Sequence, residues 1–150
     1  MRKFRALAIA IVFAVASISL GGCGKGGSSQ SGNELTPISH TRVLTEFGSP
    51  DAAPKEVWDW VQANMKTKYA AAKSVKDTTF ILIAAGPQPS SGYDIAVTSV
   101  VESAGQVRVV YKVVAPPPGT GAATVISYPY VLLKVPYSKT YKTFSFTQDK

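Results

Sequence analysis

Few side chains in this sequence could carry out covalent or acid–base chemistry. The chain has one cysteine, Cys23, and one histidine, His40. A catalytic histidine needs a rigid setting and a partner that orients its ring, whereas His40 precedes the regular hydrophobic pattern. Asp94 and Glu102 are the carboxylates that one could pair for acid–base catalysis, and nothing beyond their presence supports that pair. The sequence therefore predicts a protein that is not an enzyme.

The residue spacing also gives no metal or cofactor site. No set of His, Cys, Asp and Glu residues has the spacing of metal ligands. Gly119 and Gly121 do not open a helix after a strand, so they do not predict a phosphate-binding loop. We therefore expect neither a metal ion nor a cofactor.

Cys23 lies at a position suited to lipid attachment. Residues 2–5 carry three positive charges and are followed by an apolar run over residues 6–20. That run is shorter than the roughly 20 residues of a membrane-spanning helix and has the length of a signal-peptide core. Residues 20–23 read Leu-Gly-Gly-Cys and resemble the lipobox of bacterial lipoproteins. The resemblance implies acylation of the Cys23 sulfur; an ordinary signal peptide with a chance cysteine is the alternative.

These features predict how the chain is organised and where it is found. We expect a signal peptide over residues 1–22, a lipidated cysteine with a flexible tether over residues 23–40, and a single domain over residues 41–150 with its core at about 78–136. About ten Gly- and Ser-rich residues would hold the domain roughly 17–19 Å from the lipid. The predicted location is the outer face of the cell membrane or the outer membrane.

The net charge of the chain favours solubility and does not indicate binding to a specific polyanion. The net charge is +7, and it falls to about +4 when the three cationic residues of the signal peptide are removed. The charges are scattered, and the densest basic group consists of Lys66, Lys68, Lys73 and Lys76. Such a spread surplus indicates a solvated face with loose attraction to anionic surfaces. It does not indicate nucleic-acid binding.

Hydrophobic periodicity predicts one helix. Pro54 suits a first helical turn, and Val57, Val61 and Met65 recur at helical spacing. Lys66 and Lys68 lie where cations favour the C-terminal end of a helix. Trp58 and Trp60 belong to the same segment, and we expect this face to pack on a sheet.

The rest of the pattern is β. The predicted strands cover residues 42–47, 78–84, 93–98, 107–113, 123–135 and 141–147. The continuous apolar run at 78–84 is typical of a central strand covered on both faces, and the strands at 93–98 and 107–113 read as an antiparallel hairpin. Pro129 interrupts the strand at 123–135 and favours an edge or a bulge there. The fold class is α+β and mainly β: an antiparallel sheet or β-sandwich-like domain of five to seven strands with one packed helix.

Three loops carry the binding prediction. The segments 86–92, 116–121 and 128–130 are rich in Gly, Pro and Tyr, and rigid loops lose little freedom when they contact a partner. The predicted partner-binding residues are Gln88, Pro89, Ser90, Ser91, Gly92, Tyr93, Pro117, Gly119, Tyr128 and Tyr130. We expect the partner to be an exocytoplasmic protein.

An ordered set of motifs between residues 80 and 136 resembles the C-terminal domain of the PrcB family. The motifs are Phe80-Ile81-Leu82-Ile83-Ala84-Ala85-Gly86, Gly92-Tyr93-Asp94-Ile95, the Pro116–Gly119 segment, and Tyr128-Pro129-Tyr130 with the strand after it. The resemblance implies a lipoprotein or secreted module, since the family is named for a subunit of a surface protease complex that helps assemble or stabilise a subtilisin-like protease. It carries over no catalytic residues.

Two further interpretations remain open. Gln88-Pro89-Ser90-Ser91-Gly92-Tyr93 is similar to the Asn-Pro-Thr-Thr-Gly-Tyr loop of chagasin-type cysteine-protease inhibitors, and Gly119–Gly121 could stand as their second loop. Their Arg-Pro-aromatic loop is absent and only approximated by residues 128–130. Alternatively, Trp58, Trp60 and the tyrosines could stack on sugars, which would make the protein a binder of glycans or other small ligands.

Overall fold

The computed structural model describes residues 34–45 and 52–150, which form eight strands and one helix. The elements are β1 (Thr36–Pro37), β2 (Thr41–Thr45), α1 (Lys55–Asn64), β3 (Lys68–Val75), β4 (Thr78–Ala85), β5 (Asp94–Ser103), β6 (Gln106–Val114), β7 (Tyr130–Pro136) and β8 (Thr143–Gln148). The predicted signal peptide, Cys23 and the glycine-rich tether lie outside the described residues, as does the end of the first predicted strand.

The strands form two four-stranded sheets. The first sheet has the order β1-β5-β6-β8, and the second has the order β2-β7-β4-β3. The paired strands are antiparallel, except that β8 runs parallel to β6. This arrangement confirms the mainly β, sandwich-like fold with a single packed helix.

The two sheets enclose the larger hydrophobic core. Its fully buried members include Ile81 and Ile83 of β4, Val131 of β7, and Val107 and Val109 of β6. Aliphatic and aromatic side chains of both sheets thus face one another, and removing their apolar surface from water drives the sheets together.

Helix α1 covers the opposite face of the second sheet. Val57 and Val61, one helical turn apart, are buried against Phe80 and Leu82 of β4. Since Ile81 and Ile83 point into the other core, β4 is covered on both faces. The continuous apolar run at 78–84 correctly predicted this central strand.

Strands β5 and β6 form the predicted hairpin. Ser103 pairs with Gln106, and the turn residues Ala104 and Gly105 have φ values of 50° and 84°. These positive angles match the two-residue turns whose twist suits a hairpin. A bulge between Val97 and Ser99 shifts the alternation of inward-facing side chains by one residue. The buried positions are therefore odd-numbered before the bulge, as at Ile95, and even-numbered after it, as at Val100.

The structure corrects several predicted element boundaries. The helix ends at Asn64, and Lys68 begins strand β3, which the sequence did not predict. Strand β7 begins at Tyr130 rather than residue 123. Before it, Ser127 forms an isolated bridge with Gln88. With β1 included, the described residues contain eight strands instead of five to seven.

The segment before the first predicted strand is part of the fold. Thr36 and Pro37 pair with Glu102 and Val101 of β5, and Ile38 is buried in the core between the sheets. The ordered region therefore includes residues that precede Thr41. Within the described residues, no helix is both long enough and apolar enough to cross a membrane.

Candidate functional site

The loops predicted to bind a partner meet at one end of the sandwich. One connection runs from the end of β4 to the start of β5, and the other runs from the end of β6 to the start of β7. The strand ends lie together in pairs, since Asp94 pairs with Val114 and Ala84 pairs with Tyr130. Both connections therefore leave the sheets at the same end.

Hydrogen bonds join the two connections. The backbone N–H of Gln88 donates to the carbonyl of Ser127 at 2.9 Å, and the N–H of Ser127 donates back to Gln88 at 3.1 Å. The Ser127 hydroxyl donates to the carbonyl of Ser90 at 2.7 Å. Ser91 accepts a bond from the N–H of Ala123 through its hydroxyl and donates its own N–H to the Ala123 carbonyl, each at 2.9 Å. The two loops are therefore one structural unit.

The proline loop contains a tight turn at its tip. The N–H of Thr120 donates to the carbonyl of Pro117 at 3.3 Å, and the Thr120 hydroxyl donates to the same oxygen at 2.8 Å. Pro118 and Gly119 occupy the central positions, and Gly119 has φ of 81°. A type II turn favours proline at its first central position and requires a positive φ at its second, which glycine supplies. Two hydrogen bonds close the turn, and residues 117–120 are exposed.

Gly92 allows the first loop to approach the second closely. It has φ of 85°, and a Cβ atom at this position would lie 3.1 Å from the Cβ of Pro116. Contacts this short force a neighbouring atom to move, and L side chains rarely adopt this backbone conformation. Glycine at this position therefore brings Pro116 against the first loop.

Two apolar side chains beside these turns are exposed. Val125 is 56% exposed and Ile126 is 66% exposed. Together with Pro89, Pro117 and Gly119 they form what we call the loop surface. The sequence did not identify Val125 and Ile126 because their β-branched side chains led to the prediction of a strand at 123–135.

The ten predicted binding residues differ in accessibility. Pro89, Gly92, Pro117 and Gly119 are exposed, whereas Gln88, Ser90, Ser91, Tyr93 and Tyr128 are half-buried. Tyr130 is only 5% exposed and packs with Val57, Val61 and Leu82 beneath helix α1. Its predicted place at the partner surface is therefore corrected to a place in the core, because the first residue of β7 points towards the helix.

The carboxylates considered for acid–base chemistry are not a pair. Asp94 begins β5, and its Oδ1 forms an ion pair with the guanidinium of Arg42 in β2 at 3.2 Å. Glu102 lies eight residues further along the same strand, roughly 26 Å away at 3.3 Å per residue, and its Oε1 accepts the N–H of Gly105 at 2.7 Å. Each carboxylate therefore has a structural partner of its own.

His40 lies in the short connection between β1 and β2. Its Nδ1 is 3.2 Å from the carbonyl oxygen of Ile38. The ring lines a cleft of about 410 Å³ together with Arg42, Asp94 and Val97. Among residues 34–45 and 52–150, no three side chains of the metal-binding types come together.

The two tryptophans are half-buried against the second sheet. The Trp60 indole N–H donates to the Tyr69 hydroxyl at 3.2 Å, and the two rings meet edge to face with centroids 6.2 Å apart. The Lys73 ammonium lies 6.0 Å from the centroid of the Trp60 ring. These contacts give the aromatic residues of α1 a packing role and weaken the glycan-binding interpretation.

Comparison with known proteins identifies the part of the chain that contains the loop surface. Residues 79–136 match the family model described as PrcB C-terminal, which confirms the resemblance for these residues. An uncharacterized protein of Methanocaldococcus jannaschii is 40% identical over 57 residues, which cover 38% of this chain and 34% of that protein. The match thus spans about a third of that relative. No solved structure matches this chain significantly.

Proposed function

We propose that this protein is a membrane-anchored exocytoplasmic lipoprotein whose PrcB-like domain binds a protein partner through the loop surface. The observation that supports this proposal best is the exposed pair Val125 and Ile126 beside two loops that hydrogen bonds tie together. The proposed partner is a surface protease, and the protein acts as an accessory subunit of its complex.

The energetics of the loop surface favour a protein ligand. Covering a large aliphatic side chain contributes about 1.5–3 kcal/mol for complete burial, so the exposed parts of Val125 and Ile126 offer about 1 kcal/mol each. The turn at Pro117–Thr120 is already rigid, so little conformational entropy is lost when it is covered. In this proposal Val125 and Ile126 form the apolar centre of the contact and the polar loop residues form its rim, as in other protein interfaces.

The proposed anchor confines the domain near its partner. Acylation of Cys23 and a tether over residues 24–32 would keep the domain close to the membrane and raise its effective concentration towards other membrane proteins. A lipobox cysteine receives more than one acyl chain, and two chains make anchoring stable. Weak loop contacts would then suffice for a persistent complex.

The test is affinity capture from solubilised membranes with the full-length protein and two matched variants. Val125→Ser with Ile126→Ser removes the apolar side chains of the loop surface. Leu35→Ser with Tyr137→Ser is the control, because these side chains are 53% and 44% exposed outside the loop surface. We expect recovery of the partner to fall about thirtyfold with the loop variant, equivalent to about 2 kcal/mol for the two side chains, and to be unchanged with the control. Equal recovery with both variants would contradict the proposal.

A second candidate function is protease inhibition by the same loops. The loop at Gln88–Tyr93 and the glycines at 119 and 121 lie at the same end of the sandwich, as the resemblance to chagasin-type inhibitors requires. The full-length protein should then slow a papain-type or a subtilisin-type protease at roughly micromolar concentration. No inhibition of either class would exclude this alternative.

A further inference from the structure

Strand β3 is an edge strand whose outer side pairs with no other described strand. It pairs with β4 over all eight residues from Lys68 to Val75. In the second sheet β3 is the last strand, and no other strand within residues 34–45 and 52–150 pairs with it. Edge strands present unpaired backbone groups that can template another strand.

The register shows which backbone groups point outwards. Val75 pairs with Thr78 across a two-residue turn, and the pair that flanks such a turn exchanges both backbone hydrogen bonds. The pairs then alternate along the ladder, so the N–H and C=O groups of Ala70, Ala72 and Ser74 point away from β4. Three successive outward positions are enough to seat an extended segment about six residues long.

Positive charge surrounds this edge. The densest basic group of the sequence lies on β3 and at its two ends. Lys66, Lys68 and Lys76 are exposed, and Lys73 donates its ammonium to the carbonyl of Glu56 at 3.1 Å. Asp77 is the one acidic residue between positions 65 and 78. In the described part of the chain, none of these lysines forms an ion pair.

An incompletely covered apolar seam lies beside the edge. Strand β8, the last strand of the first sheet, approaches β3 with Cα atoms within 8 Å. Its Phe144 and Phe146 are half-buried against the core between the sheets, to which Ala72 of β3 also packs. A strand added to β3 would direct alternate side chains towards these phenylalanines.

The charges favour one class of occupant. If two copies of this chain paired antiparallel through β3, the lysines at one end of each strand would approach those at the other end of its partner. Like charges in adjacent strands are destabilising. An acidic segment instead gains electrostatic attraction along the whole edge.

From these observations we propose that β3 is a docking strand, at which an extended acidic segment of another protein, alternating with apolar residues, adds a fifth strand to the second sheet. Backbone hydrogen bonds at Ala70, Ala72 and Ser74 hold the segment, and the surrounding lysines select its charge. The proposal concerns a surface separate from the loop surface and stands or falls independently of it.

The test uses amide NMR on the full-length protein in detergent micelles. The probe is a soluble eight-residue peptide in which Glu and Val alternate, and the comparison peptide replaces each Glu with Lys. We expect the acidic peptide to cause saturable shifts and slower hydrogen exchange at the outward amides of β3. We expect no response to the basic peptide.

Two charge variants and one backbone variant sharpen the test. Lys66→Glu with Lys68→Glu should weaken binding about tenfold, whereas Lys112→Glu with Lys139→Glu, which makes the same change in net charge at exposed lysines elsewhere, should change it less than about twofold. Ala72→Pro should abolish binding because it removes an outward N–H, and proline is tolerated on edge strands. Thermal unfolding checks that each variant folds.

Failure of the acidic peptide to bind at β3 would contradict the proposal. If the acidic peptide gives no saturable shift at β3 up to about 1 mM, the weak end of specific binding, the proposal is overturned and the lysines shield the edge from pairing, as charged residues do on many edge strands. Equal weakening by the two charge variants would equally contradict a docking role for β3.

Discussion

At the scale of single residues, Arg42 shows what a local pattern cannot reveal. It belongs to β2 in the second sheet, yet its guanidinium pairs with Asp94 and donates to the carbonyl of Ile95 in the first sheet. These partners lie more than fifty positions away in the chain. From the sequence, Asp94 was considered only as a possible carboxylate partner of Glu102, and the packing of the two sheets shows that its charge pairs with Arg42 instead.

Gly92 gives a prediction that separates backbone strain from packing. Gly92→Ala should lower the free energy of unfolding by about 1 kcal/mol more than Gly119→Ala. Both glycines have positive φ, so both alanines cost about 1–2 kcal/mol in backbone strain, but only at Gly92 would the new Cβ meet a neighbour within 4 Å. Urea denaturation measures both values. Equal losses for the two variants would show that the close approach of Pro116 to position 92 does not oppose a Cβ atom there.

The buried phenol of Tyr111 should make the free energy of unfolding depend on pH in alkali. Burial raises the pKa of its phenol above the usual 10.0. Below that pH the phenol is neutral in both states, whereas above it the unfolded chain loses the proton more readily. The free energy of unfolding should therefore fall as the pH rises above 10 and should level off once the folded-state pKa is passed.

The matched variants are Tyr111→Phe and Tyr137→Phe, the second at an exposed side chain. Denaturation at several pH values between about 9 and 11.5, a range that brackets the ordinary tyrosine pKa, should give a shallower alkaline decline for Tyr111→Phe alone. The same decline in both variants and the parent protein would contradict the role assigned to Tyr111.

At the scale of elements, the strand that is buried on both faces was predicted from the sequence, whereas the edge strand beside it was not. Strand β4 was predicted because residues buried on both faces form an unbroken apolar run. Strand β3 was missed because Ala70, Ala71 and Ala72 have weak β-propensity, and Lys68 also suits the end of a helix. Pairing with β4 along its whole length overrides these local preferences.

The β5–β6 hairpin gives a prediction at this scale. Ala104 has φ of 50° and precedes Gly105, in a turn that favours asparagine at its first central position. Ala104→Asn should raise the free energy of unfolding by about 0.5 kcal/mol, since asparagine tolerates this conformation better. Thermal unfolding measures the change. A lower midpoint for the variant would contradict the assigned turn geometry.

At the scale of the whole molecule, the candidate site could be predicted only in part. Composition identified the loops at 86–92 and 116–121, because Gly and Pro determine local turns. It did not show that Gln88 and Ser91 bond to residues of the other loop, since such pairings depend on how distant strands end together. It also placed Tyr130 on the surface, because a tyrosine beside a proline gives no sign of which face it will take.

The same limit applies to the two proposed binding regions. Val125 and Ile126 lie in the connection between β6 and β7, and β3 lies at the edge of the second sheet. Only the complete fold shows that these parts of the chain are at the surface. Both regions present groups that another protein chain could contact: exposed apolar side chains in the loops and unpaired backbone groups along β3.

Incorporation of labelled palmitate is the decisive test of the proposed lipid anchor at Cys23. Cells producing the full-length protein and, separately, its Cys23→Ser variant are grown with the labelled fatty acid, and each protein is purified from the membrane and soluble fractions. A lipid on the Cys23 sulfur predicts label on the parent protein in the membrane fraction and none on the variant. Parent protein without label, recovered from the cytosol with Met1 intact, would contradict it.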